Sequence, residues 1–326
     1  MAFEPVNPQA SPEARRLLEF IYSLYGKRTL SGQHNYPGFR SEFSDRAHEI
    51  SGRRPAIWGQ DFGFTAEGKD SILHRAPNIK ETLRQYREGS IITWMWHAVR
   101  PMDDEPNGWK ESVQNHLTDA QWKDLITPGT KLHQRWLGQL EVVAGFLTQL
   151  RDAHVPVLWR PYHEMNGDWF WWGGQDPKTF VQLWRQMFDY FTQVKGLDNL
   201  LWVYGPNHGA KTADYYPGER YVDLVGLDAY TDFIDPEHIK GYPEVARLGK
   251  PFGLSEFGPH GASNPPGDYD YRRLISGIQT NFPKTVFFMS WNANWSLARN
   301  TNVTEFLSHP WIANREDIPK SATSAP

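Results

Sequence analysis

Residues 155–174 read VPVLWRPYHEMNGDWFWWGG. The opening, with Val155, Val157 and Leu158, is a short apolar run of the kind that forms a buried strand. It ends on a carboxylic acid, Glu164, set between His163 and Asn166, and Trp169, Phe170, Trp171 and Trp172 follow at once. Helices and strands both alternate faces, so four consecutive rings are not expected to point into a core together. A carboxyl group at a strand end, among ring faces and amide donors, suits a ligand that is flat-faced and rich in hydroxyls. A sugar has that chemistry.

The same unit recurs along the chain. Short apolar or β-branched runs lie at 28–34 (RTLSGQH), 55–62 (PAIWGQDF), 90–97 (SIITWMWH), 155–164 (VPVLWRPYHE), 199–206 (NLLWVYGP), 222–230 (VDLVGLDAY), 251–258 (PFGLSEFG) and 285–292 (TVFFMSWN). Amphipathic segments separate them. One carries Trp136, Leu137, Leu140, Val143, Ala144, Leu147 and Leu150 on a single stripe, and another carries Phe180, Leu183, Trp184, Met187, Phe188, Phe191 and Val194. Eightfold strand–helix alternation predicts an α/β fold, a single-domain (β/α)8 TIM barrel. A doubly wound open sheet would carry a glycine-rich phosphate turn after its first strand, and the sequence there is SGQHNYPG, without GxGxxG. Residues 1–319 are expected to form the catalytic barrel, and 320–326 a flexible tail or linker stub. The long excursion at 98–131, with Trp109 and Trp122, is expected to build part of a cleft.

Composition narrows the function. The formal net charge of −4, with both signs interspersed, argues against nucleic acid or an anionic membrane as partner. No apolar run approaches the ~18 residues of a membrane span, and MAFEPVNPQASPEARR lacks the regions of a signal peptide. Cysteine is absent, which removes disulfides, thiolate metal sites and cysteine nucleophiles together. With 15 tryptophans against 6 methionines, the surplus rings are expected to work at a surface, stacking on sugars.

Barrels carry their reactive groups at the C-terminal ends of the strands. Here those ends supply His34, Asp61, His97, Glu164, Asn207, Asp228, Glu256 and Trp291. Glu164 on strand four and Glu256 on strand seven face each other across the barrel mouth. Two such carboxyls suit glycosidic cleavage, one neutral to protonate the leaving oxygen and one ionised to attack the anomeric carbon. Strand one offers a single histidine and strands five and six none, so no metal and no cofactor is expected. His97 and His163 are expected to orient carboxylates and hydroxyls.

The run RPYHEMNGDWFWWG followed about ninety residues later by LSEFG resembles glycoside hydrolase family 26. SGQH, WH, WVYGPN, GLDAY and SWN extend the likeness over nearly the whole chain, and His163 immediately before the acid is the variant typical of that family. The resemblance implies a retaining endo-β-1,4-mannanase with Glu164 as acid/base and Glu256 as nucleophile. It further implies that His97 contacts the sugar and that His163 supports the acid. Trp169, Tyr230 and Trp291 would line the cleft, with Asp228 holding Tyr230 or substrate. The implied partner is β-mannan or its oligosaccharides, met outside the cell by a monomer. A β-1,3-xylanase or mixed-linkage β-glucanase of the same family is the nearest alternative, and a non-catalytic carbohydrate-binding barrel a remote one.

Overall fold

The computed structural model describes residues 4–36, 40–66, 69–261 and 265–323. Eight parallel strands close into a barrel: β1 (Gly32–His34), β2 (Ile57–Asp61), β3 (Ile91–Trp96), β4 (Val157–Pro161), β5 (Leu200–Tyr204), β6 (Leu224–Tyr230), β7 (Phe252–Gly258) and β8 (Thr285–Ser290). Each pairs with the next, and β8 returns to β1 through Ser290 and Gln33. A two-residue strand, Thr29–Leu30, precedes β1 and pairs with both β8 and Ile312–Ala313. Among the described residues, no helix is long and apolar enough to cross a membrane.

Strand alternation sorts the side chains into two layers. Leu30, Ile57, Ile91, Leu158, Leu201, Leu224 and Met289 fill the barrel interior and its lower end against helix α1 (Pro12–Ser23). The opposite faces meet the helices. Trp94, Trp159 and Trp202 stand side by side on β3, β4 and β5, in register. Trp202 packs on Trp184 and Phe188 at ring-centroid distances of 5.9 and 5.0 Å, and both belong to the helix Pro177–Asp189. That helix starts where Asp176 caps the amides of Lys178 and Thr179 and Pro177 fills the first turn, a position where a missing N–H costs nothing. The helix Lys131–Asp152 buries its whole predicted stripe except Leu137, which is partly covered, whereas Val194 is 68% exposed.

Two expectations change here. Ten of the fifteen tryptophans are buried: Trp58, Trp94, Trp96, Trp122, Trp136, Trp159, Trp171, Trp172, Trp184 and Trp202. Most therefore fill the wide gap between barrel and helices, not a surface. The run 169–172 is also mostly interior, because it lies on an irregular loop that lets Phe170, Trp171 and Trp172 all turn inward. The expected tail begins as a helical turn, Lys320–Thr323, with Ala322 buried and Ser321 accepting from Arg16. Residues 324–326 lie outside the described residues.

Backbone irregularity at two strand ends sets up the mouth. On β7 the register with β6 slips between Leu254 and Glu256. Phe252, Leu254 and Phe257 pack outward in the helix layer, while Ser255 and Glu256 both reach inward to Asp228 and Arg160. This is a bulge, which re-aims the side chains that follow it. After β4, Tyr162 and Glu164 take left-handed backbone angles, φ 46° and 55°, conformations that L-residues rarely adopt. Tyr162 turns out to accept from Trp136, and His163 turns in.

The tryptophan layer makes a direct prediction. Trp202→Ala is expected to cost about 3–5 kcal/mol, the range for emptying a buried aromatic site, as an earlier urea midpoint. Turnover per folded molecule in the cold should persist. An unchanged midpoint with lost turnover would mean that the ring serves a ligand.

Candidate active site

Glu164 sits just past β4, 8% exposed. Its backbone N–H donates to Gly205 at the end of β5 and its carbonyl accepts from Gly167, so the turn is tied on both sides. Asn166 does not reach the carboxyl group. Its amide donates to the carbonyls of Asn207 and Ala210 and accepts from Asn207 N–H, stapling this loop to the next. The carboxyl is held by Trp169, whose indole Nε1 donates to Oε2 at 2.6 Å. Gly167 makes that possible: a Cβ there would come within 2.2 Å of the Trp169 ring, which cannot yield without breaking the bond.

Glu256 is 3% exposed. Arg160, on β4, donates one Nη2 bond to its Oε1 and one Nη1 bond of 2.8 Å to Asp228 Oδ2. Tyr230 donates to Glu256 Oε2 at 2.8 Å, and Ser255 to Asp228 Oδ1 at 2.6 Å. His163 Nε2 lies 3.6 Å from Glu256 Oε1 and 3.0 Å from His97 Nε2, and His97 Nδ1 lies 2.5 Å from Asp61 Oδ2.

The electrostatics follow from crowding these charges away from water. Burial pushes the Glu164 carboxyl well above the ordinary glutamate range, and the negative charges of Asp228 and Glu256 push it the same way. The Trp169 bond and Arg160 oppose them. Burial, then the Arg160 charge, hold His163 well below the ordinary histidine range, so it stays neutral. Burial, then the Glu256 charge, pushes the Tyr230 hydroxyl up and keeps it a donor. His163, Asp228 and Glu256 have ligand atoms within 4.8 Å of one another. The Arg160 guanidinium already engages oxygens of both carboxylates, so these residues are ill suited to a cation.

Above them opens a cleft of about 490 Å³, a size that holds a small ligand or a few sugar rings. Trp109, Trp169, Trp291 and Trp295 wall it, with Gln114, Asn207 and His208 as polar groups. Four of the five tryptophans that are not buried thus stand around one cavity. What the arrangement can do is bounded: a neutral carboxyl can give a proton, and a carboxylate backed by arginine can attack or stabilise positive charge.

A model of glycosyl hydrolase family 26 matches residues 6–317. The chain belongs to glycosyl hydrolase family 26. The mannan endo-1,4-β-mannosidase of Bacillus subtilis (strain 168) is 34% identical to this family 26 chain, over 96% of it and 89% of the relative. Among solved structures, GH26A of a Muricauda species is 38% identical with a TM-score of 0.84, covering 96% of this chain and 99% of that one. The Bacillus subtilis mannanase BCman is 31% identical with a TM-score of 0.87, covering 100% and 99%. The chain is a glycoside hydrolase with a (β/α)8 barrel.

The barrel brings together Glu164, Glu256, His97, His163, Trp169, Tyr230 and Trp291, all of which line the cleft. Asp228 is different. It is fully buried beneath Arg160 and Ser255 and holds neither Tyr230 nor the cleft surface, because the guanidinium takes its outward oxygen. Tyr230 bonds Glu256 instead. His163 does not support Glu164. The reversal of direction between Tyr162 and Glu164 turns its ring towards His97 and Glu256, and Trp169 takes the acid.

Several participants escaped sequence reasoning. Arg160 lies only four residues before Glu164 in the chain, yet it serves Asp228 and Glu256. Trp295 and His208 follow strands eight and five, and their only signal was proximity to Trp291 and Asn207. In the 98–131 excursion, Trp109 and Gln114 reach the cleft, whereas Trp122 is buried and donates to Thr179.

Trp169→Phe keeps a ring and removes the donor that favours the ionised Glu164. A bond to a charged group contributes about 1.5–3 kcal/mol, so the Glu164 pKa should rise by roughly one pH unit or more. The protonated form then persists to higher pH. The alkaline limb of kcat/KM is expected to move upward, and a limb that stays or falls would remove the indole from control of this carboxyl.

Proposed function

We propose that the protein is a retaining endo-β-1,4-mannanase, acting outside the cell as a monomer on β-mannan polysaccharide or its oligosaccharides. The observation that carries the reading is the unequal pair of buried carboxyls in one tryptophan-walled cleft. Glu164 is held protonated by burial and neighbouring negative charge, while Glu256 faces Arg160 and Tyr230, two donors that complement an anion. The choice of mannan is supported by the names of the Bacillus subtilis relative and of the BCman structure.

In the first step a Glu256 oxygen bonds to the anomeric carbon as the glycosidic C–O bond breaks. The Glu164 proton goes to the departing oxygen, and a glycosyl ester remains. Ester formation removes the Glu256 charge, one of the causes that raise the Glu164 pKa, so the acid becomes a stronger acid and its conjugate a usable base. In the second step Glu164 takes a proton from water, the water oxygen bonds to the anomeric carbon, and the ester bond to Glu256 breaks. Trp291 would offer a stacking face, and its position near His34, Tyr36 and His97, with ring centroids 5.0–6.2 Å apart, supports that placement beside the reacting sugar. Polymeric mannan cannot enter a cell, which is the ground for an extracellular site of action.

Side-by-side assays on locust bean gum, lichenan and β-1,3-xylan test the substrate. Mannan is expected to be turned over fastest, and faster turnover of either alternative would move the assignment to a glucanase or xylanase. Proton NMR of the first-formed product should show the β-anomer, and an initial α-anomer would mean inversion. Glu256→Ala is expected to lose nearly all turnover while still binding oligosaccharide. Glu164→Ala should retain hydrolysis of substrates with good leaving groups far better than of mannan, with azide restoring deglycosylation. Equal loss on both substrate types would argue for a structural role.

A further inference from the structure

Asp61 ends β2 at 0% exposure, and its two oxygens are used differently. Oδ1 accepts from the backbone N–H of Gly63 at 2.7 Å and of His97 at 3.0 Å, while Oδ2 meets the His97 ring at Nδ1. An ionised carboxylate only accepts, so Nδ1 must carry the hydrogen. The other ring nitrogen of His97, Nε2, faces His163. It lies 3.0 Å from Nε2 of His163, and of two ring nitrogens at that distance one donates and the other accepts; the hydrogen belongs to His163, whose far nitrogen has no acceptor to receive it. His163 Nδ1 is buried and has no partner, so a proton placed there would be a donor without an acceptor.

We propose that Asp61 is a positioning residue for the glycosidase reaction. By taking the His97 Nδ1–H it sets the tautomers of both histidines, so that the His163 nitrogen beside Glu256 carries a hydrogen and not a bare lone pair. The proposal rests on the reading of Glu256 as nucleophile. That nitrogen lies 3.6 Å from Oε1, the oxygen already bound by Arg160, so the protonated edge of the ring borders the carboxylate while its hydrogen is donated to His97. The opposite tautomer would leave a lone pair beside the carboxylate at a buried position, where the repulsion is less screened than in bulk solvent. Among the described residues, the charged and titratable groups around the two rings include Asp61 on β2, Arg160 and Glu164 at the end of β4, Glu256 on β7, His34 on β1 and Tyr36 just after it. Burial and Arg160 keep His163 neutral among them, as the tautomer chain requires.

Asp61→Asn separates positioning from scaffolding. The amide oxygen can keep both backbone N–H bonds, while its NH2 faces His97 Nδ1 and demands a lone pair there. The tautomers should invert with the melting temperature nearly unchanged. Inverting the tautomer of a catalytic base costs about 10⁴ in kcat in a hydrolase triad. Here the effect passes through a second ring, so a loss of about ten- to a hundredfold in kcat is expected, with KM within about threefold. Long-range 1H–15N spectra of the imidazoles in the unliganded wild-type enzyme report the tautomers directly. Hydrogen on His97 Nδ1 and His163 Nε2 supports the proposal. A bare Nδ1 on His97 overturns it, and so does Asp61→Asn with inverted tautomers and unchanged kcat. If the variant does not fold, the wild-type spectrum still decides. The spectrum needs no substrate, so inactivity of the wild type on every β-mannan would sink the functional reading separately.

Discussion

The Arg160 guanidinium, buried between Asp228 and Glu256, is the interaction on which the site depends. A buried cation is tolerable only when paired and hydrogen-bonded, and here Met95 sulfur accepts a third bond from it. Burial pushes the Asp228 carboxyl itself up to about 8 against the pull of Arg160, and Glu164, buried beside Asp228 and Glu256 and farther from the guanidinium's bonds, is discouraged from ionising. This divides the labour between Glu256 and Glu164 without any difference in residue type. It also explains why Asp228, remote from the cleft surface, belongs to the machinery: it locks the arginine's other arm while Ser255 locks Asp228. Removing one member of such a group would leave an uncompensated charge, a larger cost than the net value of the pair.

Regular strands alone could not deliver these groups. On β7 alternation would send Ser255 inward and Glu256 outward, and the slipped register lets both face in. After β4 two left-handed residues reverse the chain twice within three positions. Strained φ angles of this kind cost about 1–3 kcal/mol each, and the surroundings hold them through the Gly205 carbonyl, the Trp136–Tyr162 bond and the Trp172 indole, which donates to the His163 carbonyl. Irregular geometry is thus concentrated where the two carboxyls are aimed, on a scaffold that is otherwise ordinary.

The tryptophans show how one composition serves two purposes. A barrel wrapped by helices leaves a wide seam, and the large flat rings of Trp94, Trp159, Trp184 and Trp202 fill it. Trp109, Trp169, Trp291 and Trp295 face the cleft instead. Counting rings does not separate the groups; their places do, since the first set lies inside β3, β4, β5 and the helix Pro177–Asp189 and the second in the segments that follow strands.

The sequence by itself determined the barrel, the eight strand ends and the two glutamates at the fourth and seventh of them. These depend on local period, on the rule that strand ends carry reactive groups, and on motifs contiguous in the chain. It also pointed to His97 and Trp291 as strand-end residues, while the family resemblance pointed to Trp169 and Tyr230 as cleft walls. Only the tertiary structure decided the partnerships: that Arg160 serves Glu256, that Trp169 holds Glu164, that His163 turns to His97, and that Asp228 is buried. The physical reason is that alternation assigns a side chain to a face only while the strand is regular. At the bulge on β7 and the left-handed turn after β4 the face is chosen by long-range packing and charge, which no window of neighbouring residues contains.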